Sequence, residues 1–205
     1  TGTNFCVCPQ MPPLQLSGRY RFLVYMHHRE LYNCGDDAKI LLCAAPQQTE
    51  LFVFGRPGDA VRLREAVIAS GAAVLLFPDE AGLEAAAFAQ NYLEQGPAGD
   101  SEKSELAIVL LDGTWNSVKQ LRRHFHREVA PGTPCVRLQP ETPSVYARAQ
   151  TRPDGVSSVE ALALLLAALG EAPNVCTAFS EYVQRNNAAL SFRHGRAAVT
   201  ASSGE

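Results

Sequence analysis

Along this chain, short unbroken apolar runs alternate with stretches of helical period, the pattern of an α/β protein. Five runs predict strands: Arg21–His28, Glu50–Gly55, Ala72–Pro78, Leu106–Leu111 and Cys135–Leu138. The fourth is apolar at every position, which predicts a strand buried on both faces, as in parallel sheets. A helix is expected over 60–69, capped by Asp59, with Val61, Ala66 (or Leu63), Val67 and Ile68 on one face. Residues 81–95 also read as helix, and 96–104 as a polar loop. Trp115, Val118, Leu121, Phe125 and Val129 recur at helical spacing and predict a core-facing stripe directly after the fourth strand. A helix running to Leu169 is apolar almost all round, so it should be buried, and Gly170 and Pro173 stop it. A last helix is expected over 174–190. The sum is a mostly parallel sheet of about five strands with helices on both faces.

Residues 1–18 read as an extended lead-in, because Pro9, Pro12 and Pro13 oppose a helix. The single domain is expected over 19–190, with a small, polar tail over 191–205. A length of 205 residues suits one domain. No apolar run approaches the ~20 residues that span a bilayer, and no signal-peptide pattern is present, so no membrane partner is expected. The cysteines at 6, 8, 34, 43, 135 and 176 fall largely within apolar patterns, where a thiol acts as a small hydrophobe. That usage points to an intracellular, reducing compartment. Cys6 and Cys8 form the only close pair, and a structural zinc needs four ligands, so zinc is not expected there. A net charge of −3 excludes a whole-protein grip on nucleic acid and leaves only a local patch.

Such a patch is present. Lys119, Arg122, Arg123 and His126 fall on one helical face, with Arg127 beside them. They read either as a footprint for RNA phosphates or as a solvated face whose cations favour the helix C-terminus. The helix follows Asp112-Gly113-Thr114-Trp115. Ligands of open α/β sheets collect at the carboxyl ends of strands, so Asp112 is a functional candidate. It is equally a candidate helix cap, and Trp115 either a core plug or a stacking surface for a base. His27 and His28 end the first strand, and neighbours on a strand point to opposite faces. One therefore faces a ligand and the other water. Ser157 and Glu160 have capping-box spacing, and Ser157 and Ser158 at a helix N-terminus suit a carboxylate or ribose oxygen.

Asp112-Gly113-Thr114-Trp115 after an apolar strand resembles the signature of the DTW-domain family, which is similar to tRNA-uridine aminocarboxypropyltransferases. Further segments follow the family order. His27-His28-Arg29-Glu30 stands where the family has His-Pro-x-Glu, and Asp36-Asp37-Ala38-Lys39 where it has Asn-Thr-Gly. Leu76-Phe77-Pro78 resembles its Leu-Phe-Pro element. Ser144, Tyr146 and Arg148 resemble a Ser-x-Tyr-x-x-Arg element, and Ser157-Ser158-Val159-Glu160-Ala161 its Ser-Thr-x-Glu-Ala. The resemblance spans 5–169. It implies a SPOUT-like knotted fold and transfer of the 3-amino-3-carboxypropyl group of S-adenosylmethionine to a uridine of RNA, tRNA foremost.

On that resemblance Asp112 is the catalytic group, accepting or orienting the uridine N3 proton. Leu76, Phe77, Pro78, Thr114, Arg148, Ser157 and Ser158 would hold S-adenosylmethionine, with Arg148 suited to gripping a carboxylate or phosphate by two hydrogen bonds. Trp115, Lys119, Arg122, Arg123, His126 and His28 would meet RNA. The proposal needs Asp112 at the ligand-facing rim of the sheet. The departure from Asn-Thr-Gly and the lack of further cysteines upstream of Cys6 support a second reading, an RNA-binding or ribosome-associated protein without turnover. A methyltransferase on the same fold is a third.

Overall fold

The computed structural model describes residues 6–32, 36–95, 105–138, 144 and 155–193. In chain order the strands are β1 (Tyr20–His27), β2 (Thr49–Phe54), β3 (Gly71–Leu76), β4 (Leu83–Glu84), β5 (Glu105–Asp112) and β6 (Cys135–Arg137). The helices are α1 (Ile40–Ala44), α2 (Asp59–Ser70), α3 (Ala85–Gln95), α4 (Trp115–His124), α5 (Ser158–Ala168) and α6 (Pro173–Arg193). The six strands form one sheet in the order β2-β1-β5-β3-β6-β4, and every pair is parallel.

The all-apolar run is the interior strand. β5 pairs with β1 from Tyr20↔Leu106 to Met26↔Asp112, and with β3 on its other side. Alternation along these strands divides the core in two. Phe22, Val24, Met26, Leu106, Ile108 and Leu110 face a first layer with α1, α3, α5 and α6. Leu23, Tyr25, Ala107, Val109 and Leu111 face a second layer, against Leu63 of α2 and Val118 and Leu121 of α4. The last turn of the α4 segment widens to a π turn over Phe125–Val129, which keeps both of those residues buried.

The expected architecture is present, with local differences. The sequence places helix from 81, but Leu83 and Glu84 pair with Val136 and Arg137 at the sheet edge before α3 starts. Two residues are too few to show an alternating pattern. α1 was likewise too short for a helical period to register. α2 starts after Gly58, whose φ of +85° supplies its N-cap, and Asp59 is not the cap. The Asp59 carboxylate instead accepts the Val53 N–H at 2.8 Å, closing the end of β2, and pairs with Arg62 at 3.2 Å. The apolar face expected for α2 is also shifted. Leu63 and Ala66 are buried, whereas Val61 is 53% and Ile68 71% exposed. α6 runs three residues beyond its expected end.

The lead-in is extended apart from a 3-10 turn at Cys8–Gln10, compatible with Pro9 because the turn is so short. Met11 is buried, and the Tyr182 hydroxyl of α6 donates to the Pro12 carbonyl at 2.7 Å. Among the described residues no helix is long and apolar enough to cross a membrane. The knot implied by the resemblance depends on a chain path that includes 139–143 and 145–154, outside the described residues.

Asp59→Ala strands the buried Val53 N–H and should cost about 1–3 kcal/mol in urea denaturation. Ile68→Ala, on the water side of the same helix, should stay within about 0.5 kcal/mol. Equal losses would contradict this placement.

Candidate functional site

The connection leaving β1 enters the first layer at α1, while the one leaving β5 enters the second at α4. Neighbouring parallel strands whose connections part in this way open a crevice at their carboxyl ends, where such sheets take ligands. Asp112 is the last residue of β5 and lies opposite Met26 of β1. It has the parity of Ile108 and Leu110, so its side chain belongs to the first layer. There it meets the β1–α1 connection. One oxygen from each of Asp36, Asp37 and Asp112 lies within 4.8 Å of the others, and all three residues are buried.

Each acid is held differently. Asp36 accepts the Ala38 N–H at 3.0 Å, and the Lys39 ammonium is 3.4 Å from its other oxygen. Lys39 also donates to the Glu30 carbonyl at 2.8 Å, tying the two ends of the connection together. Asp37 accepts the Val159 N–H at 3.0 Å, in the first turn of α5. The Asp112 Oδ2 has no hydrogen-bond donor, and the residue is 7% exposed. Burial, then the Asp36 charge beside it, pushes the Asp112 carboxyl well above the ordinary range. Burial pushes Asp37 up to about 6, against the pull of the Val159 N–H. Asp36 is raised by burial too, with its hydrogen bond to Asp112 and then Lys39 opposing. Ionised carboxylates only accept hydrogen bonds, so facing ones need a proton or a cation between them. Among the described residues this is the one group of acids, imidazoles or thiols close enough to share a small cation.

The start of α5 adjoins this cluster. Ser157 accepts the Glu160 N–H at 3.3 Å and Glu160 returns by accepting the Ser157 N–H at 2.8 Å, so the capping box forms. Ser144 donates to the same Glu160 carboxylate at 2.5 Å. Ser157 is buried and Ser158 half-buried. The helix-end seat expected for a ligand anion is occupied here by the chain's own Asp37. Tyr146 and Arg148 lie outside the described residues.

The other expected residues gather on the second layer. Thr114, not Asp112, caps α4, accepting the Ser117 N–H at 3.4 Å. This frees Asp112 from the capping role. Gly113 is needed for space: a Cβ there would sit 3.0 Å from the Ser117 Cβ and 3.3 Å from the His27 Cβ. Trp115 is half-buried and lies parallel to Phe77, their rings 5.8 Å apart. Lys119 sits 5.7 Å over the indole and Arg122 5.0 Å over the Phe77 ring, both in cation–π range. Arg122 is also paired with Asp79. An open cavity of about 660 Å³ follows, lined by Asp79, Gly82, Arg122, Arg123, His126 and Cys135. The basic stripe is thus real, though Asp79 neutralises part of it. Phe77 and Thr114 accompany this groove, Leu76 and Pro78 flank Phe77, and Ser157 and Ser158 accompany the acids. The residues expected to hold one cofactor are therefore divided between the two sides of the rim.

His28 is exposed, but it does not oppose His27 as strand alternation predicts. β1 ends at His27 and His28 begins a 3-10 turn, so the two imidazoles lie 4.3 Å apart. His27 stacks on Phe54, and the His124 ring stands edge-on to Phe54 at 5.0 Å with its Nδ1 3.1 Å from the Tyr25 hydroxyl. Burial lowers the pKa of both His27 and His124. At the lead-in, Cys6 and Cys8 are free thiols. Cys8 is pushed up to about 12, chiefly by its hydrogen bond with Cys6, then by burial and by Cys43 beside it. Cys34 lies outside the described residues.

The sequence reading missed the acid cluster and this ring cluster. Asp36 and Asp37 read only as an altered motif. The available signal was two consecutive acids just before the apolar Ala38, Ile40 and Leu41, with Lys39 as the sole cation among them.

The DTW domain family matches residues 1–190, and the chain belongs to that family. The family includes tRNA-uridine aminocarboxypropyltransferases, and membership points to a transferase that modifies tRNA, with RNA as its partner. No curated protein and no solved structure matches the chain.

The raised acids set a pH dependence of stability. A carboxyl whose folded pKa is raised contributes stability that is full below its ordinary value, ~3.9, and is lost as pH rises through the folded value. For Asp37 that loss is complete a little above about 6, and for Asp112 it extends to higher pH. The urea midpoint should therefore fall between pH 5 and pH 8, and Asp112→Asn should flatten the fall. Parallel wild-type and variant curves would refute the assignment.

Proposed function

We propose that this protein transfers the 3-amino-3-carboxypropyl group of S-adenosylmethionine to N3 of a uridine in tRNA. The observation that carries the proposal is Asp112, a carboxylate of raised proton affinity at the carboxyl end of the sheet's interior strand. In the step, uridine N3 attacks the methylene carbon next to the sulfonium. The carbon–sulfur bond breaks, its electron pair neutralises the sulfonium, and methylthioadenosine leaves. The N3 proton passes to Asp112. An ordinary aspartate is a weak base for this task, and burial beside another acid strengthens it.

Positioning is the rest of the work, since the donor must present its aminocarboxypropyl arm and hide its methyl group. Leu76, Phe77, Pro78, Thr114, Ser157 and Ser158 are the proposed lining for the donor, with Arg148 on its carboxylate. Trp115, Lys119, Arg122, Arg123, His126 and His28 are the proposed RNA contacts. The aromatic plate and the cations over it support this reading, because stacked bases and phosphates need those two surfaces side by side. A second reading, RNA binding without turnover, draws on one observation. The N-terminus of α5 is already filled by Asp37 and the capping box.

Bulk tRNA incubated with S-adenosylmethionine labelled in the methionine chain should gain label, whereas methyl label should not transfer. Asp112→Asn should slow that transfer by roughly 10²–10⁴-fold, and a variant at the wild-type rate would remove the assignment. Calorimetry showing no heat with S-adenosylmethionine would favour the non-catalytic reading. Lys119→Ala and Arg123→Ala should each weaken tRNA binding and flatten its salt dependence by about one unit of slope. Unchanged slopes would mean that phosphates run elsewhere.

A further inference from the structure

We propose that Asp36 and Asp112 act as one acid–base unit, sharing a single proton in the free protein, with Asp36 setting the basicity of Asp112. The three clustered acids are unequal in their donors. Asp37 is engaged by the Val159 N–H, and Asp36 by the Ala38 N–H and the Lys39 ammonium. Asp112 shares a side-chain hydrogen bond with Asp36 but its Oδ2 is buried with no partner, and one of its oxygens lies within 4.8 Å of one oxygen of each other acid. The proton therefore settles at Asp112 while Asp36 carries the charge beside Lys39.

The remaining charged groups act on this unit with predictable sign. Asp37, on the same connection, and Glu30, from the turn after β1, both add to the negative field at Asp112. Lys39, at the start of α1, is the cation facing Asp36. Two ionised carboxylates this close repel, so the second proton is held tightly. The doubly ionised unit is a correspondingly strong base, and accepting the N3 proton returns it to its resting, singly protonated state. The proton then leaves to water. Asp36 is a positioning residue here, since it acts on the substrate only through Asp112. The catalytic consequence rests on the transfer reading, but the shared proton does not.

The test is a carbon-13 titration of the aspartate carboxyls in the full chain, without RNA or S-adenosylmethionine and with a chelator present. In the wild type, Asp112 should titrate well above ~3.9. In Asp36→Asn, which keeps the shape and the acceptor for Ala38, it should fall by more than about one pH unit, the mark of coupled sites. Lys39→Met should move it the other way, an independent check if Asp36→Asn fails to fold. An Asp112 titration indifferent to both changes would overturn the proposal. So would a wild-type titration that differs with and without chelator, because a bound cation would then be what joins the pair. In transfer assays, the alkaline-rising limb of the pH–rate profile should shift to lower pH in Asp36→Asn. A coupled titration in a protein that transfers nothing would sustain the unit and sink the transfer reading alone.

Discussion

Parallel pairing of β5 with β1 is the constraint from which the rest follows. It brings Asp112, the last residue of β5, level with Met26, one residue before the end of β1, and it places two connections side by side that leave toward opposite layers. Because side chains alternate, the same register sends Asp112 toward α1 and α5 and sends Leu111 toward α4. A slip of one residue would exchange those faces and disperse the acid cluster. Apart from Arg21, the partners of 106–111 on the two neighbouring strands are apolar or tyrosine, from Tyr20 to Tyr25 and from Ala72 to Leu76.

The two sides of the rim differ in chemistry. On one, burial raises the proton affinity of three clustered acids, and the Asp36 charge adds to it at Asp112. On the other, Trp115 and Phe77 form a plate flanked by cations and continuous with an open groove. The sides meet at Gly113, where only a residue without a side chain fits between His27 and Ser117. A buried acid cluster and an exposed cationic groove make opposite demands on solvent, and the sheet edge separates them by a single turn. Acids clustered this way lower the stability of the fold at neutral pH, a common feature of sites shaped for chemistry.

Much of this architecture was legible in the sequence because it depends on periodicity. The interior strand, the stripe of Val118, Leu121, Phe125 and Val129, and the capping box at Ser157 each follow from local spacing, and each is present. What failed to register depends on contacts distant in the chain. Asp59 looked like a cap because its partner, Val53, lies on the preceding strand. His28 was placed by strand alternation that ends one residue too early. Val61 and Ile68 resembled core positions because apolar residues on a helix do not declare how wide a face the sheet will cover. The acid cluster unites 36, 37 and 112, and no local rule connects residues so far apart.

The lead-in is fastened to the C-terminal helices at several points: Tyr182 to the Pro12 carbonyl, Arg185 to the Gln10 carbonyl, and Ser17 to the Glu171 carboxylate. Leu14 also donates its N–H to the Ala44 carbonyl, at the end of the helix that follows the acids. Opposite ends of the described chain thus form a belt around the layer that backs the carboxylates. Loosening either segment would therefore be felt in the packing behind α1 and α5, far along the chain from the break.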